Sequence, residues 1–183
     1  MRIGREEGAD LEIVQAAALL HDVGRPIEEA TGVSHAEASA AMAREILAGR
    51  AAPERIEAVA CAIAQHRYRG TQTPQSLEAR VLFDADKLDA IGAIGVARAF
   101  AVAGAQRQHL WAEVAEDVAA RPAEEGRDDL RNADHTPMHE FRFKLVKLRD
   151  GMFTSAGRRL AEERHRVMAA FFDRLEREVA GDA

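Results

Sequence analysis

Two ionisable residues, His21 and Asp22, end the apolar run QAAALL and stand just before the helix breakers Gly24 and Pro26. Because helical positions three, four and seven residues apart share a face, His21 is expected on the core-facing side of its helix. Asp22 lies about 100° further around the axis, so in the last turn both side chains can approach one cation. The pair suits a metal site, although a hydrogen-bonded core histidine beside a solvated acid is the simpler interpretation of the dipeptide alone.

A second histidine and an acidic segment repeat this combination further along the chain. His66 ends another amphipathic stretch and is followed by the basic segment RYRG. Asp84 stands in the strongly apolar setting VLFDADKLDAIG, where a carboxylate is costly unless a cation or hydrogen bonds accompany it. The neighbouring Asp86 and Asp89 also fit a solvated helix face, and Lys87 fits an ion pair with one of these acids.

The elements that must position these residues are all helical. Apolar residues recur at spacings of three and four, and β-branched runs of period two are absent. Asp10 and Thr154 are suitable N-caps, and SHAE, from Ser34 to Glu37, has the pattern of a capping box. These signals predict an all-α chain of about eight helices over residues 1–7, 10–23, 34–49, 53–66, 73–104, 106–120, 138–149 and 155–179.

A chain of 183 residues with 47% hydrophobic residues is sufficient for one domain with a single core. The predicted organisation is a core over 1–120, an exposed polar loop over 121–137, and C-terminal helices over 138–183 that pack on the same core. Phe141, Leu145, Met168, Phe171 and Phe172 would either cover that core or form a homodimer face.

Charge and cysteine content exclude several classes of function. The net charge is −6 and no basic tail is present, which disfavours binding to duplex nucleic acid. The single cysteine, Cys61, cannot form an internal disulfide and stands in the apolar stretch AVACAIA, where burial is expected. We find no signal peptide and no membrane-spanning segment, so a cytoplasmic location is expected.

The ordered motifs LLHDVGR, GVSHAEAS, AQHRYRG and DADKLDAIGA resemble those of the HD-domain metal-dependent phosphohydrolases. The segment FRFKLVKLRDGMFTSAGRRLAEERHRVMAAF is similar to the C-terminal helices of a bacterial single-domain clade of that superfamily, some of whose members are similar to nucleoside triphosphate pyrophosphohydrolases. The resemblance implies an HD-domain helical bundle that hydrolyses a small phosphorylated metabolite, with a nucleotide as the leading substrate.

The resemblance also implies the residues of the site. His21, Asp22 and Asp84 are the metal ligands carried over, and Asp22 and Asp84 are the catalytic carboxylates, with Asp84 or a nearby acid orienting the attacking water. His35 and His66 match positions that bind a second metal in some members and the phosphate in others. Arg67 and Lys87, with these two histidines, are the implied substrate-binding residues.

The implied ligands also bear on the choice of metal. Imidazole and carboxylate ligands suit manganese, magnesium, nickel or iron better than a thiolate-bound zinc, because no cysteine is near the motifs. Manganese is our first choice. The ion would polarise a phosphoryl oxygen and activate water.

One departure from the family pattern leaves two hypotheses open. The family's first histidine precedes the HD pair by some two dozen residues, whereas residues 1–20 contain none. We therefore expect the missing ligand upstream of Met1, or replacement by another residue such as His35. The first hypothesis is an active phosphohydrolase. The alternative is an HD-fold binding or regulatory module that has lost its complete metal site.

Overall fold

The computed structural model describes residues 1–67, 73–115 and 135–182, and within these ranges the secondary structure is helical and contains no strand. This confirms the predicted all-α class. The described residues form nine α-helices and one 3₁₀ helix (Leu145–Gly151). The α-helices are α1 (Arg2–Glu7), α2 (Leu11–Leu20), α3 (Arg25–Thr31), α4 (His35–Leu47), α5 (Pro53–Ala64), α6 (Leu77–Leu88), α7 (Gly92–Ala105), α8 (Pro137–Phe143) and α9 (Ser155–Ala180).

The chain divides into two compact units. The first comprises Met1–Asp86 with Phe153–Gly157, and the second comprises Lys87–Met152 with Arg158–Ala183. The division into 1–120, 121–137 and 138–183 stays a prediction, and residues 121–134 of the proposed loop lie outside the described residues.

The core of the first unit is built largely from alanine. In this unit α4 packs along α5, α2 contacts α5, and α3 contacts α4. Small side chains let helix backbones approach closely, which brings the helix ends near one another. The buried cluster consists of Ala17, Ala40, Ala43, Val59, Ala60, Ala62, Ile63, Ala79 and Leu82.

The second unit has an aromatic interior. Phe172 is fully buried and stacks on Phe141 with ring centroids 4.3 Å apart. Leu145 and Met168 are also buried, whereas Phe171 is 41% exposed. Four of the five residues assigned to a core cover or a dimer face therefore lie inside this unit, and the homodimer stays a prediction.

Several predicted helix limits are wrong. α2 ends at Leu20 rather than at Val23, and Pro26 does not stop a helix but lies in the first turn of α3, where its missing N–H costs nothing. The expected helix over 73–104 is two helices, because Gly92 adopts a φ of +75°, which breaks the helical path. Arg98 donates to the carbonyl of Asp89 at this break.

Two further helices differ from expectation. Residues 106–115 are not helical, since Arg107 has a φ of +56° directly after α7, and the rest of the predicted helix over 106–120 lies outside the described residues. The helix expected over 138–149 is α8 followed by the 3₁₀ helix, with the change at Lys144, whose φ is −127°. By contrast, α9 is close to the predicted range.

Two predicted helix caps are confirmed, whereas the predicted burial of Cys61 is wrong. The Asp10 carboxylate accepts from the amides of Glu12 and Ile13, which confirms that cap. Thr154 Oγ1 accepts from the Gly157 amide at 2.9 Å, as predicted. Cys61 is exposed, not buried, because the core face of α5 comprises its neighbours, and its thiol donates to Glu57.

No single helix among the described residues combines the length and hydropathy needed to cross a membrane; α6 and α7 meet both criteria only as a pair, by length and composition alone.

The start of α9 is held to α6 by Asp84, and this contact predicts a sensitivity at Gly157. A Cβ atom at position 157 would overlap Asp84 Oδ2, whereas one at Gly104 in α7 meets no atom within 4 Å. We expect Gly157→Ala to lower the free energy of unfolding by about 1 to 3 kcal/mol through overpacking. Gly104→Ala is the matched control, with a gain of up to about 1 kcal/mol from helix propensity. Equal urea midpoints for the two variants would contradict this packing.

Candidate metal centre

Three histidines and an aspartate meet where the helices of the first unit begin or end. His21 and Asp22 directly follow the last residue of α2, His35 is the first residue of α4, and His66 stands just after α5. Because α2, α4 and α5 pack on the shared alanine core, these helix ends lie together.

In each of the three imidazole rings, Nδ1 is the nitrogen that faces an oxygen acceptor. The Nδ1 atoms of His21, His35 and His66 lie 2.8, 2.7 and 2.6 Å from the carbonyl of Ala18, the carboxylate of Glu28 and the carbonyl of Ile63, respectively. Carbonyl and carboxylate oxygens only accept, so Nδ1 carries the proton in each ring and Nε2 of a neutral ring holds a lone pair.

These Nε2 atoms surround the Asp22 carboxylate. His35 Nε2 and His66 Nε2 lie 3.6 and 3.8 Å from Asp22 Oδ1, and His21 Nε2 lies 3.5 Å from Oδ2. The two Nε2 atoms of His35 and His66 are 3.3 Å apart. Asp22 Oδ1 is buried and accepts no hydrogen bond from the described residues.

This arrangement fits a cation. With Nδ1 protonated in every neutral ring, lone pairs and carboxylate oxygens face one another, and such repulsion needs a proton or a metal ion between them. The candidate ligand atoms of His21, Asp22 and His66 lie within 4.8 Å of one another, close enough to share an ion. Proton donation from Nδ1 to a fixed acceptor is also the usual way in which proteins orient metal-binding imidazoles.

Asp22 has a charged partner on its other side. Arg25 Nε lies 2.7 Å from Asp22 Oδ2. Burial raises the pKa of the Asp22 carboxyl, but the hydrogen bond from Arg25 and the charges of Arg25, His21 and His35 outweigh it, so the pKa lies below its ordinary value. The carboxylate is therefore ionised over the neutral range and available to a cation.

The structure does not bring Asp84 to this cluster. Asp84 is fully buried; its Oδ1 accepts from the Phe153 amide at 2.9 Å, and its Oδ2 accepts from the Thr154 amide at 2.8 Å and the Thr154 hydroxyl at 2.6 Å. These hydrogen bonds balance its buried charge, so the expected role as metal ligand and catalytic carboxylate is not supported by its contacts.

The acid beside the histidines is Asp86, for which a solvated helix face is one of the interpretations that the sequence leaves open. Its Oδ1 lies 4.0 Å from His21 Nε2. Two residues along a helix correspond to a rotation of about 200°, so Asp84 and Asp86 point in nearly opposite directions. Helical phase, rather than the apolar character of the neighbours, is the signal that distinguishes them.

The predicted substrate-binding residues have separate surroundings. Arg67 Nη1 lies 3.0 Å from Glu28 Oε1 and donates to Ser34 Oγ at 3.1 Å. Ser34 makes no side-chain cap, so the predicted capping box is wrong, and its hydroxyl accepts from Arg67. Lys87 lies in the last turn of α6 and belongs to the second unit, and its role stays a prediction.

Gly24 explains why the HD pair can stand so close to α4. Its amide donates to Ser39 Oγ at 2.9 Å, and a Cβ atom there would lie 2.7 Å from the Ser39 nitrogen and 2.9 Å from the His35 carbonyl oxygen. Only glycine allows this approach, which places His35 opposite Asp22. The same turn leads into α3, which was missed from sequence and supplies Arg25 and Glu28.

Known proteins are similar to this chain in fold and in sequence. A family model described as HD domain matches residues 1–91. The uncharacterised protein YpgQ of Bacillus subtilis is 32% identical over 180 residues, which is 98% of this chain and 78% of that protein. The crystal structure of YpgQ in complex with ADP aligns with a TM-score of 0.73 at 32% identity and covers 100% of this chain and 84% of that one. An HD-superfamily hydrolase from Bacillus thuringiensis aligns with a TM-score of 0.69 at 29% identity, covering 98% and 79%.

The helical bundle with histidines and an HD pair at its helix ends defines the HD-domain class, for which divalent metal binding is expected. This chain belongs to the HD-domain phosphohydrolase superfamily.

The contact of Arg25 with Asp22 predicts a pH effect. In metal-free protein, Arg25→Gln should raise the pKa of Asp22, since burial still opposes ionisation and the guanidinium is lost. A lowered carboxyl pKa stabilises the fold above the unfolded-state value and is lost as pH falls through the folded value, so acid unfolding of the variant should begin at higher pH. Carboxyl ¹³C NMR titration measures the shift. Arg50→Gln, which removes a charge at an exposed position just after α4, is the control, and an equal shift of the Asp22 pKa in both variants would contradict the assignment.

Proposed function

We propose that this protein is a divalent-metal-dependent phosphohydrolase that acts on a small phosphorylated metabolite, with a nucleotide, in particular a nucleoside triphosphate, as the first substrate to test. The observation that supports it best is the Asp22 carboxylate with three Nε2 atoms around it: those of His35 and His66 face its buried Oδ1, which accepts no hydrogen bond from the described residues, and that of His21 faces Oδ2. A cluster that served stability alone would not leave these acceptors opposed to one another.

His21, Asp22 and His66 would hold the metal, with His35 as an adjacent donor. The mixture of imidazole and carboxylate favours manganese, with magnesium, nickel and iron as alternatives. When bound, the metal supplies a Lewis acid for a phosphoryl oxygen and lowers the pKa of water.

The remaining chemistry belongs to the side chains of this chain. The Arg25 side chain is 53% exposed, and its guanidinium lies beside the carboxylate of Asp22, so it can offset charge on a phosphate at this position. Arg67 is a second cation at the same helix ends, and Lys87 stays a candidate phosphate contact from the sequence alone. Their guanidinium and ammonium groups would stabilise charge on the transferred phosphoryl group.

Asp86 is our candidate for the general base. In the proposed hydrolysis the water oxygen forms a bond to phosphorus, the bond from phosphorus to the leaving oxygen breaks, and the water proton passes to the Asp86 carboxylate. Of the two possibilities, Asp84 or a nearby acid, we prefer the nearby acid, because the oxygens of Asp84 already accept from backbone and hydroxyl donors.

The nucleotide preference draws on a relative. YpgQ has been crystallised in complex with ADP, and it aligns with the whole of this chain. A nucleoside triphosphate shares the diphosphate and base of that ligand. We also place the protein in the cytoplasm as part of this proposal, since its single cysteine forms no internal disulfide.

The test is metal-dependent product release from nucleoside triphosphates, with Asp86→Asn and Asp84→Asn as a matched pair. The full chain is stripped with a chelator and assayed with manganese, and phosphate and pyrophosphate are measured separately. We expect turnover by the wild type, a loss of at least about 100-fold in kcat/KM for Asp86→Asn, and a change within about threefold for Asp84→Asn per folded molecule, because Asp84 acts on stability.

Two results would overturn parts of this proposal. Absence of metal-dependent product at stoichiometric wild-type enzyme would contradict a phosphohydrolase and favour the binding or regulatory module. Equal losses for the two variants, with Asp84→Asn fully folded by circular dichroism, would return the catalytic role to Asp84.

A further inference from the structure

His35 differs from the other two histidines in what fixes its ring. His21 and His66 follow helix C-termini, where a carbonyl of the last turn, three residues earlier in the chain, accepts a hydrogen bond from Nδ1. His35 begins α4, and the free groups at a helix N-terminus are N–H donors, not acceptors. An acceptor for its Nδ1 must therefore come from another element.

Glu28 on α3 supplies that acceptor. Its Oε2 lies 2.7 Å from His35 Nδ1, and its Oε1 lies 3.0 Å from Arg67 Nη1. Only 16% of the Glu28 side chain is exposed, so water competes little for the carboxylate. Each oxygen thus holds one side chain of the candidate site.

The opposite edge of the His35 ring shows the consequence. His35 Nε2 lies 3.6 Å from Asp22 Oδ1 and 3.3 Å from His66 Nε2. A carboxylate at Nδ1 keeps the proton there and leaves the Nε2 lone pair aimed at Asp22. Without that acceptor, the ring is free to rotate or to carry its proton on Nε2, which would block this donor.

We infer that Glu28 is a positioning residue that fixes the tautomer and the direction of His35, and so makes its Nε2 a fourth donor beside His21, Asp22 and His66. The same carboxylate ties Arg67 to His35, so metal binding and phosphate binding would depend on one side chain. The effect on metal affinity rests on the proposed function, whereas the effect on the His35 ring does not.

The experiment compares Glu28→Ala and Glu28→Gln with the control Glu29→Gln, whose residue is exposed on the same helix. In the metal-free full chain at about pH 8.5, above the ordinary imidazole range, ¹⁵N NMR reports which ring nitrogen of His35 is protonated. We expect the proton on Nδ1 in the wild type and in the control, and a mixture of tautomers in Glu28→Ala. The amide oxygen of Glu28→Gln can still accept from Nδ1, so this variant should keep much of the wild-type tautomer.

Manganese titration calorimetry provides the second measurement. Loss of an outer partner of a metal-binding histidine commonly weakens affinity by about 10-fold to 100-fold, and we expect this for Glu28→Ala, with a smaller loss for Glu28→Gln and no change for the control.

The possible outcomes separate this inference from the proposed function. A wild-type His35 protonated on Nε2, or a tautomer unchanged in Glu28→Ala, would overturn the inference whatever the metal does. Reduced thermal stability in Glu28→Ala with unchanged tautomer and manganese affinity would show a merely structural residue. If the wild type takes up no manganese, the metal centre fails, and the NMR result alone decides whether Glu28 positions His35.

Discussion

The site depends on a buried carboxylate oxygen, Asp22 Oδ1, that faces two imidazole nitrogens and accepts no hydrogen bond from the described residues. Electron pairs held this close repel one another unless positive charge lies between them. The helices around them must therefore be rigid enough to maintain the arrangement. An alanine core provides this rigidity, because small side chains allow close backbone packing with few alternative rotamers.

Helix termini determine the direction of each donor. At the ends of α2 and α5, the carbonyls of Ala18 and Ile63 in the last turn accept from Nδ1 and orient His21 and His66. The first turn of α4 presents N–H donors and not carbonyl acceptors, so the Glu28 carboxylate on α3 accepts from His35 Nδ1 instead. Gly24 is what lets the turn between α2 and α3 lie against α4. In the motif HDVG, His21 and Asp22 are thus the ligand candidates, and Gly24 provides the backbone geometry that brings α4 close to them.

Sequence reasoning predicted the helical class and identified His21, Asp22, His35 and His66 as the residues that come together. For His21, Asp22 and His66 it did so because position at a helix end is visible in the pattern of apolar residues and breakers, whereas His35 was implied by the resemblance to the HD-domain family. It selected Asp84 over Asp86 because an apolar setting predicts a buried carboxylate. The setting does not show which groups donate hydrogen bonds to that carboxylate. The donors to Asp84 come from residues 153 and 154, about seventy positions away, and no local pattern reveals them.

The failure to predict α3 has a similar cause. Gly24 and Pro26 would interrupt a continuing helix, yet the same residues suit the first turn of a new one. Only the tertiary contact of α3 with α4 decides between these interpretations. With α3 unrecognised, neither Arg25 nor Glu28 could be assigned to the site. The break before α7 was likewise hidden, since Gly92 in a helical pattern shows its positive φ only in the folded chain.

Crystals of the full chain grown with manganese, and diffraction data collected at the manganese absorption edge, test the central claim most directly. We predict an anomalous-difference peak about 2.0 to 2.3 Å from His21 Nε2, His66 Nε2 and an oxygen of Asp22. The side chain of Asp84 should keep its bonds to residues 153 and 154. A peak on Asp84, or no peak near Asp22 at saturating manganese, would contradict the account.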